Sequence, residues 1–79
     1  MFPSEIVELS QRIGSLLRTR RETVGVAEGS AGGLVSAAIL ATPGASAYFV
    51  GGTVIYTAAA ARAWMAGAVD PPAVWRGAT

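Results

Sequence analysis

Glu28-Gly29-Ser30-Ala31-Gly32-Gly33 is the stretch of this 79-residue chain whose residue types and spacing could do chemistry. A glycine-rich turn between a strand and a helix exposes backbone N–H groups, and the helix dipole adds positive potential, so such a turn can receive an anion such as a nucleotide phosphate. The same residues also suit a tight turn with close packing. They match neither the phosphate-loop nor the dinucleotide pattern, because the spacing differs and the phosphate-loop lysine is missing. Two hydroxyls follow, Ser46 in the loop after Pro43-Gly44 and Tyr56 after a short apolar segment. On its own a loop serine is a turn former and a tyrosine an amphipathic ring at the edge of a core. Serine chemistry needs a base to take the hydroxyl proton. The chain has no histidine, and all six of its cationic side chains are arginines, which stay protonated and stabilise charge without acting as bases.

Composition narrows the classes further. Without cysteine or histidine the chain has no disulfide framework and lacks the usual transition-metal ligands, so neither a metal nor another cofactor is expected. The formal net charge is +1, and only Arg18, Arg20 and Arg21 cluster, where a first helix should end and cations complement its dipole. Nucleic acid is not an expected partner. No charged residue occurs from Gly29 to Ala61, but Pro43-Gly44 and Gly51-Gly52 divide that stretch into pieces shorter than the roughly 20 apolar residues of a membrane-spanning helix. Glu5 and Glu8 stand where a secretory leader would be basic, so a cytoplasmic protein is the default expectation.

The elements that must position these residues follow from periodicity. Ser4 is suited to cap a first helix whose apolar positions Ile6, Leu9, Ile13, Leu16 and Leu17 recur every three or four residues. Thr23 to Ala27 predicts a buried strand that delivers the chain into the glycine turn. A second helix should start at Gly29 or Ser30, present Leu34, Val35, Ala38 and Ile39 to a core, and end before Pro43-Gly44. Gly52 to Tyr56 predicts a second strand, parallel to the first because a helix intervenes. Ala58 to Ala68 predicts a third helix carrying Arg62 and Trp64, stopped by Asp70-Pro71-Pro72. Trp64 and Trp75 suit packing or an interface better than base stacking.

Two segments carry a family resemblance, Gly25-Val-Ala-Glu-Gly-Ser-Ala-Gly-Gly-Leu-Val35 and Thr42-Pro-Gly-Ala-Ser-Ala-Tyr-Phe-Val-Gly-Gly-Thr-Val-Ile-Tyr56. They resemble the C-terminal domain family of competence-damage-inducible protein A, which includes nicotinamide-nucleotide amidohydrolases. The resemblance implies hydrolysis of the amide of nicotinamide mononucleotide to the acid and ammonia. It implies catalytic roles for Ser46, as nucleophile, and Tyr56, and substrate-binding roles for Glu28, Ser30, Gly32 and Gly33. The family pattern has Glu-Ser-Cys-Thr-Gly-Gly at the turn, so Gly29 and Ala31 replace two polar positions. The lysine assigned as base falls on Ala61. The resemblance covers nearly all of the chain but only the first half of the family domain, so a threonine and an arginine of the second half are not matched. The expectation is therefore an α/β fold, a three-layer α/β/α sandwich present as an approximate half-domain over residues 1–79 in the order helix, strand, helix, strand, helix. Its activity is expected to be degenerate, the alternatives being a non-catalytic nucleotide-binding or interaction module and, last, a small membrane-associated protein. A domain this small with an apolar half exposed should seek a homo-oligomer or a complementing chain.

Overall fold

The computed structural model describes residues 1–67, so Asp70-Pro71-Pro72 and Trp75 lie outside the described residues. The element order is α1 (Ser4–Arg20), β1 (Val24–Glu28), α2 (Leu34–Leu40), a 3-10 turn (Ala45–Ala47), β2 (Phe49–Val54) and α3 (Ala58–Gly67). β1 and β2 pair in parallel, with α2 as the crossover between them, as the intervening helix predicts. The described residues thus form an α/β arrangement with a two-stranded parallel sheet. None of the described helices is long and apolar enough to cross a membrane.

α1 begins differently from its expectation. Ser4 is its first helical residue rather than its cap; Pro3 holds the cap position and its carbonyl accepts the N–H groups of Ile6 and Val7 at 3.0 and 3.1 Å. Proline suits this place because its fixed φ is already close to helical and it has no N–H to leave unpaired. At the other end Arg21 turns left-handed (φ 55), its N–H bonds Arg18 O and the N–H of Glu22 bonds Leu17 O. This is the paired closure that usually falls to glycine. Arg18 and Arg20 sit in the last turn, where their charge complements the helix dipole.

α2 starts at Leu34, four or five residues later than expected. Gly32 (φ 64) and Gly33 (φ 97) are left-handed, which a right-handed helix cannot include, and residues 29–33 instead close turns through Gly32 N–H to Gly29 O and Leu34 N–H to Ala31 O. β2 starts three residues earlier than expected and stops at Val54, leaving Tyr56 beyond it. Phe49 already pairs with Val24 ahead of the glycine pair, and the pairing is irregular just after it. Val24 is opposite Phe49 but Gly25 is opposite Gly51, so Val50 is an extra residue and the alternation shifts by one.

The core is small: Ile39, Ala45 and Tyr48, with Leu17, Val24, Val26 and Phe49 packed against it. Tyr48 is the largest fully buried side chain, 1% exposed. α1 meets its ring through Gly14, where a Cβ would lie 2.5 Å from the tyrosine Oη. Arg18 covers the same ring at 5.5 Å and donates to Gly44 O at 2.7 Å. The expected core stripe of α1 is largely uncovered: Ile6, Leu9, Ile13 and Leu16 are exposed, Leu16 by 60%, and so are Leu34 and Val35 of α2. Ser10 and Gly14 are the buried residues of α1. The apolar stripe instead lines one side of an open groove between α1 and α2.

Candidate functional site

Parallel strands end together, and their carboxyl ends are where open α/β sheets bind ligands. Here those ends are Glu28 and Val54, joined past the ladder by Ile55 N–H donating to Glu28 O at 2.7 Å. The glycine turn and the Ile55–Thr57 segment are therefore neighbours. A Cβ on Gly29 would lie 3.4 Å from Ile55 O, and one on Gly33 would lie 3.6 Å from Val54 Cγ2. Of the residues singled out in the sequence, Glu28, Ser30, Gly32, Gly33 and Tyr56 are placed at this end of the sheet.

Glu28 is the best-defined side chain among them. It is 6% exposed, and both carboxylate oxygens are used: Oε1 accepts the Val35 N–H at 2.9 Å and Oε2 the Ser36 N–H at 2.8 Å. These are first-turn amides of α2, which have no acceptor within the helix. Burial pushes the carboxyl pKa up, but the Ser36 amide and hydroxyl and the Val35 and Gly33 amides pull it further down, so the group lies below the usual carboxylate range and stays ionised. The anion at the start of α2 is thus the chain's own. Glu28 holds the turn and the helix in place, and Gly32 and Leu34 also give their N–H groups to acceptors within the turn. The α2 backbone comes close to β2 because position 52 has no side chain; a Cβ there would collide with Ser36 Oγ.

The hydroxyls are exposed and lie apart. Tyr56 is 77% exposed. Thr57 follows it and caps α3, accepting the Ala60 N–H at Oγ1 (3.1 Å) and the Ala61 N–H at its carbonyl (3.0 Å). Ala61 is half-buried on the first turns of α3, and Arg62 beside it is exposed. Ser46 is exposed in the 3-10 turn before β2. Val24 N–H donates to Tyr48 O at 2.8 Å, which ties that turn to the start of β1. Ser46 is therefore at the amino end of the sheet, and Tyr56 with the glycine turn at the carboxyl end. No group of three or more acidic, cysteine or histidine side chains is arranged to hold a metal among the described residues.

Sequence reasoning missed the Gly14–Tyr48–Arg18 cluster. Gly14 inside an otherwise regular amphipathic helix was its signal, since glycine there costs about 1 kcal/mol relative to alanine and calls for a packing reason.

Comparison with known proteins gives a consistent result. Residues 6–70 match the family model described as the CinA C-terminal domain. Similar proteins include CinA-like proteins of a Sulfurihydrogenibium species (38% identical over 56 residues), a Picosynechococcus species (47% over 55) and Acaryochloris marina (44% over 61). These alignments cover 71%, 70% and 77% of this chain but only 14%, 13% and 15% of the respective relatives. The chain thus spans about a seventh of the length of the curated relatives it matches. No solved structure gives a significant match.

Proposed function

The chain belongs to the CinA C-terminal domain family, and from that premise we propose that it is a nicotinamide-mononucleotide amidohydrolase module that binds the nucleotide but lacks the base to turn it over. In the proposed reaction, which needs the amino-end loop and the carboxyl-end segment of the sheet brought to one substrate, the Ser46 hydroxyl oxygen attacks the carboxamide carbon and Tyr56 donates a hydrogen bond to the oxyanion that forms. Ammonia then leaves, and water releases the acid from the acyl-serine. The Ser46 proton must pass to a base as the oxygen attacks. The sequence offers neither lysine nor histidine, and Glu28, the acid nearest the turn, has both oxygens on α2 amides. The observation that carries the reading is the pairing of the strand ends, which sets the Glu28–Gly33 turn beside Tyr56. Ser30 and Tyr56 are exposed there and could meet a ligand, while Gly32 and Gly33 shape the turn.

Ala61 is the position at which chemistry is lost in this reading, and a non-catalytic binding module is what remains. A three-layer sandwich belongs to the same proposal: α2 packs on one side of the sheet with α1 against it, and the small residues Gly25, Ala27, Gly51 and Thr53 form the side for a further layer. The cytoplasm is the compartment proposed for a domain acting on this nucleotide. Ammonia release from nicotinamide mononucleotide, together with calorimetric titration of the nucleotide, tests the reading. The expected outcome is binding without release in the wild type, release on Ala61→Lys, and loss of that release when Ser46→Ala is added. Release by the wild type, abolished by Ser46→Ala, would refute the missing base; absence of binding in every variant would refute the nucleotide reading.

A further inference from the structure

The groove between α1 and α2 is lined by Ile6, Leu9 and Ile13 from one helix and by Leu34, Val35 and Ala38 from the other. On α1 the apolar positions Ile6, Leu9, Ile13 and Leu16 follow steps of three, four and three, the spacing of a helix that packs along a second helix. They are 37%, 51%, 40% and 60% exposed, and Leu34 and Val35 are 62% and 44% exposed. Contiguous apolar surface of this kind marks a contact with something else. One side of it is bounded by α2, which carries no charge. The other side is bounded by charge. With about 3.6 residues per turn, Glu5, Glu8 and Arg12 stand along the rim of the stripe beyond Leu16, and Glu8, Arg12 and Leu16 line one surface depression. All three charged side chains are exposed, and among the described residues none of them takes part in an ion pair.

We propose that a second copy of this chain occupies the groove, the α1 helices of the two copies packing antiparallel about a two-fold axis. The order of charges along α1 selects this occupant. Glu5 and Glu8 precede Arg12, so an antiparallel crossing near residue 10 sets Glu8 of each copy beside Arg12 of the other, with Glu5 within a turn of it. The two-fold axis keeps both charged rims on one side of the crossing and makes the match twice. A parallel pair would put the rims on opposite sides, each against the uncharged α2 of the other copy, and leave the charges unmatched. The same crossing lays Leu9 and Ile13 of each copy against the groove of the other. Four helices, two from each copy, then enclose the apolar positions that one copy exposes. The charges stay in water at the rim and fix the orientation, while the apolar stripe supplies the affinity. None of these residues belongs to the Glu28–Gly33 turn or to the strand ends, so the contact stands apart from the amidohydrolase reading.

Sedimentation equilibrium of the wild type is expected to give a particle of about twice the 8.0 kDa chain mass. Leu9→Gln/Ile13→Gln is expected to give a monomer whose circular dichroism matches the wild type, because both side chains line the open groove and neither belongs to the core. Charge reversal reads the orientation. Arg12→Glu makes the rim wholly acidic and Glu5→Arg/Glu8→Arg makes it wholly basic, so each variant alone should dissociate with a constant raised about tenfold or more, and an equimolar mixture of the two should return to dimer. Unchanged dissociation constants for both reversal variants, or a mixture no tighter than its components, overturn the antiparallel pairing. A monomeric wild type overturns the proposal outright, and if that monomer floats with phosphatidylcholine vesicles the stripe serves a lipid surface instead. A dimer that survives Leu9→Gln/Ile13→Gln uses another surface and overturns it too. Should that double variant lose its fold, the reversal variants, altered only at exposed positions, decide alone.

Discussion

Replacing Gly14 by alanine sets two opposing effects against each other at one position. In a helix interior the change should stabilise by about 1 kcal/mol, because glycine has the larger backbone entropy to lose. The structure places the new Cβ 2.5 Å from Tyr48 Oη, 2.8 Å from Cζ and 3.2 Å from Cε2. The first two distances are well inside van der Waals contact, and the obstacle is a ring only 1% exposed, flanked by the core residues Ile39 and Ala45. The ring has no open space to turn into, so α1 itself must shift, and overpacking of this kind costs roughly 1–3 kcal/mol. Where the clash is this close the upper part of that range applies, leaving a net loss of about 1–2 kcal/mol. For a domain of this size 1 kcal/mol corresponds to about 4–8 °C, so thermal unfolding followed by circular dichroism should move down by roughly 5–15 °C. Tyr48→Phe removes only the Oη contact and is expected to recover part of the loss. In a Tyr48→Leu background, where the outer ring atoms are gone, Gly14→Ala should become stabilising. A higher melting temperature for Gly14→Ala in the wild-type background would refute the packing argument, as would an equal loss in the Tyr48→Leu background.

Other substitutions probe the turn and the sheet. Glu28→Gln should destabilise the chain at neutral pH, because an amide oxygen accepts more weakly than a carboxylate and its NH2 cannot accept from the second α2 amide. The folded-state pKa of Glu28 is lowered, so its contribution is fully present above the unfolded value of about 4.3 and is lost as pH falls through the folded value. Acid titration of wild type against Glu28→Gln should show their stabilities converging below that pH, and parallel curves would contradict the assignment. Gly33→Ala places a side chain at φ 97 with its Cβ in ordinary contact, so the expected loss is conformational, of order 1–2 kcal/mol, and smaller for Gly33→Asn, by urea denaturation. Gly52→Ala collides with Ser36 Oγ, and adding Ser36→Ala should restore part of the lost stability. Additive losses in that pair would show that the two positions do not meet.

Local signals located most of the elements. α1 was legible because its apolar spacing and terminal arginines agree, and the parallel pairing followed from the helix between two short apolar runs. Boundaries failed where one residue breaks a period. The left-handed pair Gly32-Gly33 delays α2, and the pairing of Phe49 with Val24, with Val50 as an extra residue after it, starts β2 upstream of the Gly51-Gly52 pair. The core was the least legible part. A helical stripe such as Ile6, Leu9, Ile13 and Leu16 tells which face is apolar but not what covers it, and here the buried contact is made by Ser10 and Gly14 instead. The turn at Glu28 was recognisable, yet the acceptor role of its carboxylate depends on Val35 and Ser36 seven and eight residues on, a separation with no sequence signature of its own.

Among the described residues each strand of the sheet has one bonded margin and one with no strand beside it, and this divides neighbouring amides into two exchange populations. Val24 directs its N–H to β2, and alternation puts Val26 and Glu28 on the same margin, while Gly25 and Ala27 point the other way. In deuterated solvent the first three should exchange only when the sheet opens and the other two at close to the rate of free peptide. Alternate residues of one short strand thus act as a built-in clock and its reference. A polypeptide added along the outer margin of β1 would slow Gly25 and Ala27 while leaving Val24, Val26 and Glu28 unchanged, so lengthening of the sheet could be timed without any label.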